Sequence, residues 1–309
     1  MKVLVTGGAG FIGSNLTRCL VGEGHEVTVL DNLSSGYQRN LDALPGASFI
    51  HGDIRDKDAV ERAAAGRDAV FHLAASVGNK RSIDNPLSDA EINVIGTLRV
   101  LEASRRAGVQ KVVISSSAGI FGELKTLPIH EDHPAEPDSP YGASKLCAEK
   151  QGLVYAKLYG MGVVCLRYFN VYGPNQRFDA YGNVIPIFVF QMLRGEPITI
   201  FGDGDQTRDF VDVRDVVQAN IKAAMAPGVS GAFNIGSGTR ISINDLIERL
   251  KAASGMNPVV RHGPPRAGDV RDSLADINAA RVAFGFEPAV TIDEGLPEYI
   301  RWARAEVAS

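Results

Sequence analysis

Short apolar runs alternate with helical patterns through the first 170 residues of the chain. Val3-Leu4-Val5, Glu26-Val27-Thr28-Val29-Leu30, Ser48-Phe49-Ile50, Ala69-Val70-Phe71-His72-Leu73, Lys111-Val112-Val113-Ile114 and Val163-Val164-Cys165-Leu166 are short and largely apolar, and they predict buried strands. Between the first two, Ile12, Leu16, Cys19 and Leu20 share one helical face, and Gly22 and Gly24 stop that helix. Val94, Ile95, Leu98 and Leu101 predict a second helix ending at Gly108, and a third runs from about Tyr141 to about Tyr159. Strands apolar on both faces and separated by helices mean a parallel sheet covered on both sides, a doubly wound α/β domain of the Rossmann type.

The rhythm loosens after Asn170, where glycine, proline and asparagine crowd 173–183. A helix over 185–193, a strand at Ile198-Thr199-Ile200, a strand over 208–213 and a helix over 215–225 are predicted next. Ala232-Phe233-Asn234-Ile235 then predicts one more strand. Ser242-Ile243-Asn244-Asp245 has the spacing of a helix cap before a helix ending at Gly255, and a last helix starts near Ile292. The expected organisation is a cofactor domain over 1–170, with part of 211–236 returning to it. A smaller α/β substrate region comes from 171–210 and 237–309.

Composition adds mostly exclusions. The 309 residues are 45% apolar and 22% charged, enough to bury a full core. Acidic side chains exceed basic ones by 36 − 32 = 4, which argues against nucleic acid or an anionic membrane as partner. No apolar run approaches the ~20 residues of a membrane span, and the N-terminus lacks the pattern of a secretory signal. Cys19, Cys147 and Cys165 are far apart and form no CxxC pair, so a reducing cytoplasm is expected, with neither disulfide nor zinc ribbon. His130-Glu131-Asp132-His133 lacks the HExxH frame and is expected to be an acidic loop with no metal. The odd figure is 33 glycines, and their placement is informative.

Thr6-Gly7-Gly8-Ala9-Gly10-Phe11-Ile12-Gly13 follows the first strand and opens the first helix. Glycines there allow a tight turn and let the backbone approach a pyrophosphate, which the helix N-terminus attracts. Asp31 ends the second strand 18 residues after Gly13, placed to accept both ribose hydroxyls and to repel a 2′-phosphate. The expected cofactor is therefore NAD, with Asp53 at the third strand's end as an adenine contact. Tyr141 and Lys145 lie at i and i+4 on one helix face, where a cation beside a phenol favours its ionised form. Ser115-Ser116-Ser117 ends the fifth strand, at the edge where a parallel sheet faces its ligand.

These features together resemble the extended short-chain dehydrogenase/reductase superfamily, and within it the nucleotide-sugar epimerase/dehydratase group. The likeness covers nearly the whole chain. It includes the glycine loop, His72-Leu73-Ala74-Ala75, 115–122, 141–145, Leu166-Arg167-Tyr168-Phe169-Asn170, Gly202-Asp203-Gly204, Thr207-Arg208-Asp209-Phe210 and Arg266-Ala267-Gly268-Asp269. It implies that NAD is held by Gly7, Gly10, Phe11, Ile12, Gly13, Asp31, Asn32, Asp53, Ile54, Leu73, Ala74, Ala75, Tyr141, Lys145 and Tyr168. It also implies that Tyr141 takes the proton of a sugar 4-hydroxyl as hydride leaves C4 for NAD. Ser117 would hydrogen-bond that hydroxyl, and Lys145 would hold the nicotinamide ribose. A UDP-sugar would be bound by Ser117, Tyr141, Asn170, Asn183, Val184, Arg208, Arg266, Asp269 and Ser273. Relatives usually dimerise through two helices, here near 89–107 and 141–159.

Within the group, dehydratases carry an Asp-Glu acid–base pair after the serine, and this chain has Ala118 and Gly119, which move no proton. That points to a UDP-hexose 4-epimerase. Asn170, where glucuronate epimerases tend to have threonine, favours a neutral sugar. Ser273 stands where relatives restricted to glucose and galactose have tyrosine, and its small size implies room for an N-acetylhexosamine. Phe121 replaces a common tyrosine, and Lys80 and Arg81 receive no role. The alternatives are a UDP-glucuronate 4-epimerase, a net nucleotide-sugar oxidoreductase or dehydratase, and a non-catalytic NAD sensor. The complete Ser117, Tyr141 and Lys145 set argues against the sensor.

Overall fold

The computed structural model describes residues 1–42, 44–179, 182–265 and 270–308. Its first half contains β1 (Lys2–Thr6), α1 (Phe11–Gly22), β2 (Glu26–Asp31), α2 (Arg39–Asp42), β3 (Ala47–His51), α3 (Lys57–Ala64), β4 (Ala69–His72), α4 (Asn79–Asp84), α5 (Pro86–Ala90), α6 (Thr97–Arg106), β5 (Lys111–Ser117) and α7 (Pro140–Tyr159). The second half contains β6 (Gly162–Tyr168), β7 (Asn170–Tyr172), α8 (Val184–Leu193), β8 (Ile198–Phe201), β9 (Thr207–Arg208), β10 (Phe210–Asp212), α9 (Val213–Met225), β11 (Gly231–Ile235), β12 (Ile241–Ser242), α10 (Ile243–Ser254), β13 (Val260–Gly263), α11 (Asn278–Phe284) and α12 (Ile292–Ala308). A π-helical turn, Glu91–Gly96, joins α5 to α6, and a 3-10 turn, Ala118–Ile120, follows β5.

Seven strands form one parallel sheet in the order β11-β6-β5-β4-β1-β2-β3. Val3 and Val5 of β1 pack with α1 and α9 on one face, while Leu4 packs with α3 and α6 on the other. Strands buried on both faces explain the unbroken apolar runs. The strand over 232–235 lies beside β6 in this sheet, in register Phe233↔Leu166. Because β2 lies on one side of β1 and β4 on the other, a crevice opens past the carboxyl ends of β1 and β4, where ligands bind in open sheets. A third core, around Phe188, Leu246, Leu296 and Tyr299, holds α8, α10 and α12 together.

One expected element is corrected. The single strand over 208–213 is two short strands, β9 and β10, in different sheets. Asp209 between them is fully buried, and its carboxylate accepts the backbone N–H groups of Ser237 (2.6 Å), Gly238 (3.1 Å) and Ala275 (3.1 Å) and the Ser237 hydroxyl (2.8 Å). Satisfying those donors turns the side chain inward and breaks the strand alternation. The cap at 242 forms as expected, with Ser242 Oγ accepting the Asp245 N–H at 3.0 Å. Among the described residues no helix is long and apolar enough to cross a membrane.

Candidate active site

The glycine loop is shaped by backbone contacts that tolerate no side chain. Gly7 has φ +72°, and a Cβ there would lie 2.6 Å from the Ala74 amide nitrogen. A Cβ on Gly13 would lie 2.1 Å from the Gly7 carbonyl oxygen. The loop is thus pressed between the first turn of α1 and the Leu73-Ala74 segment. Gly10 caps α1 without a side-chain bond, and no acidic residue lies in the first turn. An uncapped N-terminus behind such a cradle suits the pyrophosphate of NAD. Ala9 anchors the loop: its N–H donates to Asp31 Oδ2 at 2.9 Å, and its carbonyl accepts the Tyr37 N–H and Asn40 Nδ2. Asp31 Oδ1 accepts the Leu33 N–H, and each oxygen keeps a further lone pair.

Asp53, beyond β3, accepts Asn32 Nδ2 at 2.7 Å and a fork from Arg55. The Arg55 guanidinium holds the Asp53 carboxyl down at about 2. Ile54 is buried against Gly96, facing the π-helical turn. Tyr168 ends β6 in register with Ser117, and its hydroxyl donates to Asn220 Oδ1 of α9 at 3.0 Å.

A chain of buried bonds fixes the end of β4. Parallel register sets His72 beside Thr6. Thr97 donates its hydroxyl proton to the Asn93 carbonyl (2.6 Å), so its oxygen must accept from His72 Nε2 (2.9 Å). Nδ1 of His72 is then an acceptor for the Thr6 hydroxyl (2.7 Å), whose oxygen accepts the Ala74 N–H (3.3 Å). Burial, and the nearby Lys145 cation, push His72 down to about 3, so it is neutral. Thr97 and Asn93 carry no motif of their own, and Thr6 belongs to one only as the start of the glycine loop. Only the strand-end positions of Thr6 and His72 could have signalled the contact.

The catalytic candidates converge because two glycines permit close approach. A Cβ on Gly142 would meet the Gly119 carbonyl at 2.3 Å, so α7 abuts the turn after β5. Ser139 caps α7, and the Tyr141 N–H donates to buried Ser82 Oγ at 3.0 Å. Ser117 Oγ accepts the Gly119 N–H at 3.1 Å. A side chain at 119 would start 3.3 Å from that Oγ and 3.7 Å from the Tyr141 ring. Position 119 therefore sits between the two catalytic candidates, and glycine leaves it empty of acid or base.

Burial raises the Tyr141 phenol, while its hydrogen bond with Ser117 lowers it and the Asp89 carboxylate raises it. The Lys145 ammonium is buried and donates to Ser115 Oγ at 3.1 Å, and burial lowers it to about 8 against the pull of Asp89. Burial, not the lysine cation, thus sets the direction of the phenol's shift. Asp89 is itself buried, with Oδ1 accepting Asn93 Nδ2 at 3.0 Å. Below the serines, Ser116 donates to Glu149, which is paired with buried Arg167 at 2.8 Å. Phe121 packs edge-on to His133 and under Arg167.

The substrate-side candidates lie on elements of the second half of the chain. Asn170 donates Nδ2 to the Asp209 carbonyl at 3.1 Å, Asn183 precedes α8 and donates to the Val171 carbonyl, and Val184 opens that helix. Arg208 lies on β9 with Nη1 donating to the Thr207 carbonyl. Ser273 is buried, 8% exposed, directly after Asp272, which accepts the Thr207 hydroxyl. Arg266 and Asp269 lie outside the described residues. His130-Glu131-Asp132-His133 is engaged elsewhere: Glu131 accepts the Asn234 N–H, and His133 Nε2 accepts the Lys125 N–H. Arg81 pairs with Asp179 at 2.9 Å and Lys80 with Asp84 at 2.7 Å.

Comparison with known proteins agrees with this fold. The model of the NAD dependent epimerase/dehydratase family matches residues 3–236. The UDP-glucose 4-epimerase of Mycolicibacterium smegmatis is 40% identical, over 98% of this chain and 99% of its own. The structure of a Thermotoga maritima UDP-glucose 4-epimerase with UDP-glucose superposes with a TM-score of 0.93 at 42% identity, covering 99% of this chain and all of that one. A UDP-N-acetylglucosamine 4-epimerase of Methanobrevibacter ruminantium, in complex with UDP-N-acetylmuramic acid, gives a TM-score of 0.95 at 36% identity, covering 99% and 98%.

The neutral buried histidine gives the fold an acid limit. With a folded pKa near 3 against an unfolded value of 6.5, the unfolded chain binds more protons between those values. Stability from this site is present above pH 6.5 and is lost as pH falls towards 3, by about 1.4 kcal/mol per pH unit. In urea titrations from pH 7 to 4, His72→Gln is expected to fall less steeply than wild type; parallel curves would contradict the assignment.

Proposed function

Because the chain belongs to the NAD dependent epimerase/dehydratase family, we propose that it is a UDP-hexose 4-epimerase, an isomerase that keeps its NAD bound through each turnover. The observation that carries this is the pairing of Ser117 with Tyr141 across an empty Gly119. A hydroxyl donor and a proton acceptor would face one substrate oxygen, and glycine at position 119 between them moves no second proton. Elimination needs that second proton transfer, whereas epimerisation at C4 does not.

NAD, when bound, supplies a hydride acceptor for C4 and a positive ring beside the phenol. Gly7, Gly10 and Gly13 would hold its pyrophosphate, Asp31 its ribose, and the Leu73-Ala74 segment its nicotinamide side. Tyr141 takes the 4-hydroxyl proton and returns it when the sugar is reduced again. Ser117, whose oxygen already accepts the Gly119 N–H, directs its own proton at the same substrate oxygen. Lys145 would hold the nicotinamide ribose and, as a cation, would favour the phenolate. Inversion requires the 4-keto sugar to turn in the pocket, which the protein permits by gripping the nucleotide instead of the ring.

Tyr141→Phe is expected to lose at least about a hundredfold in kcat while retaining bound NAD. The assay is chromatography of UDP-glucose and UDP-galactose with no added cofactor. Near-normal turnover, or a need for added reduced cofactor, would sink the assignment, and conversion of UDP-glucuronate alone would select the runner-up.

The buried Ser273 leaves the sugar's C2 side less crowded than a tyrosine would. The same assay with UDP-N-acetylglucosamine is expected to show turnover that Ser273→Tyr removes while UDP-glucose activity persists. Equal loss of both activities would count against the gatekeeper role.

A homodimer fits the exposed apolar residues of the helices flanking the site. Leu158 is 65% exposed and Val154 50%, one turn apart on α7, with Leu87 of α5 80% exposed. Apolar side chains exposed on these helices suit an interface. Light scattering on Val154→Glu/Leu158→Glu is expected to give a monomer where wild type gives a dimer; an unchanged mass would move the interface elsewhere.

A further inference from the structure

A second set of contacts, outside the reacting groups, ties the last helix to the glycine loop. Arg177, in the segment between β7 and α8, donates Nε to Glu306 Oε1 of α12 at 2.7 Å. Its Nη2 donates to Asn40 Oδ1 at 3.1 Å and to Glu306 Oε2 at 3.3 Å. Asn40 Nδ2 in turn donates to the Ala9 carbonyl at 2.7 Å. The relay Glu306–Arg177–Asn40–Ala9 is therefore continuous from the C-terminal helix to the middle of the glycine loop.

The guanidinium is also held by aromatic faces. It lies 3.8 Å from the Tyr37 ring centroid and 5.7 Å from that of Trp302. The side chains of Arg177 and Glu306 are each only 13% exposed, so water screens the pair weakly. Arg39 adds a second cation to Glu306. The strap carrying Arg177 is fastened to α1, with Asn15 Nδ2 donating to the Pro174 carbonyl (2.8 Å) and Asn175 Nδ2 to Ser14 Oγ (3.0 Å). Tyr299 of α12 donates its hydroxyl to the Gln176 carbonyl at 2.7 Å.

We propose that Arg177 is a latch that sets how long the enzyme keeps its NAD. The segment from Asp31 to Asn40 holds both sides of the Ala9 peptide, and Arg177 pins that segment to α12. A dinucleotide seated on the glycine loop leaves only when this segment lifts, and lifting it breaks the Arg177 bonds. Slow release matters for a reaction in which the hydride must return from the same cofactor to the same sugar. The inference rests on the placement of the pyrophosphate at the glycine loop, which the test separates from the latch itself.

Holoenzyme loaded with NAD is mixed with isotopically labelled NAD, and exchange is followed by mass spectrometry. Arg177→Met is expected to speed exchange by about tenfold or more, Arg177→Lys by less, and Glu306→Gln comparably. With saturating NAD, kcat stays within about twofold of wild type, which separates the latch from the catalytic groups. The rise in Tm on adding NAD shrinks in the variants more than the Tm of the protein stripped of NAD falls. Wild-type exchange rates in Arg177→Met, or in Glu306→Gln where the former does not fold, overturn the latch. Gly13→Ala is expected to lose NAD altogether, and normal NAD content in that variant overturns the pyrophosphate placement instead.

Discussion

Everything at the crevice depends on how the carboxyl ends of β1 and β4 satisfy their buried polar groups. Strand ends in a sheet covered on both faces leave N–H and C=O groups away from water, and each needs a partner. Here the partners are one ordered chain, Ala74 to Thr6 to His72 to Thr97 to the Asn93 carbonyl. Its direction is forced, because Thr97 has one proton and gives it to Asn93. A charged His72 would need a second acceptor that the chain does not offer, and it would face the Lys145 cation. Neutral histidine and protonated lysine are thus two consequences of one arrangement.

The same chain explains why the glycine loop lies where it does. Thr6 fixes Ala74, and Gly7 then has to pass so close to Ala74 that no Cβ fits. Asp31 holds Ala9 from the opposite side, leaving the α1 N-terminus facing the crevice. Backbone donors placed in this way need no reorganisation to meet an anion. On α7, Gly142 serves the corresponding purpose, since contact with Gly119 brings Tyr141 over Ser117.

Local features of the sequence made the first half readable. Apolar runs gave the strands, glycine gave the helix ends, and further on Ser242 gave its own cap, because each is set within a few residues. The division of 208–213 into β9 and β10 was not readable, because Asp209 answers to donors at 237, 238 and 275. Nor was the π-helical turn at 91–96, where Asn93 bridges Ser76, Asp89 and Ser144 from three separate segments. Among the site residues, Ser117, Tyr141 and Lys145 stood out by spacing. Ser115, Ser82, Asp89 and Arg177 act through partners distant in sequence, so no window of residues contains their signal.

The site concentrates groups that a stable core would avoid. Lys145 is a cation in a dry interior with Ser115 as its hydrogen-bond partner, and burial lowers it to about 8. Replacing it by an apolar side chain would remove that desolvation cost, so its presence weakens the fold locally. Tyr141 is raised by the same burial. Compensation comes from the fully satisfied groups beneath, where Glu149 takes Ser116 and both arms of Arg167, and from Asp209, whose carboxylate has four donors. Satisfaction is uneven around the site: Glu149 and Asp209 are fully engaged, while one buried carboxylate oxygen of Asp89 has no hydrogen-bond partner among the described residues. Under the proposed function, a substrate oxygen between Ser117 and Tyr141 would add hydrogen bonds to a pair the fold has already placed, and that preorganisation is what the protein would use for catalysis.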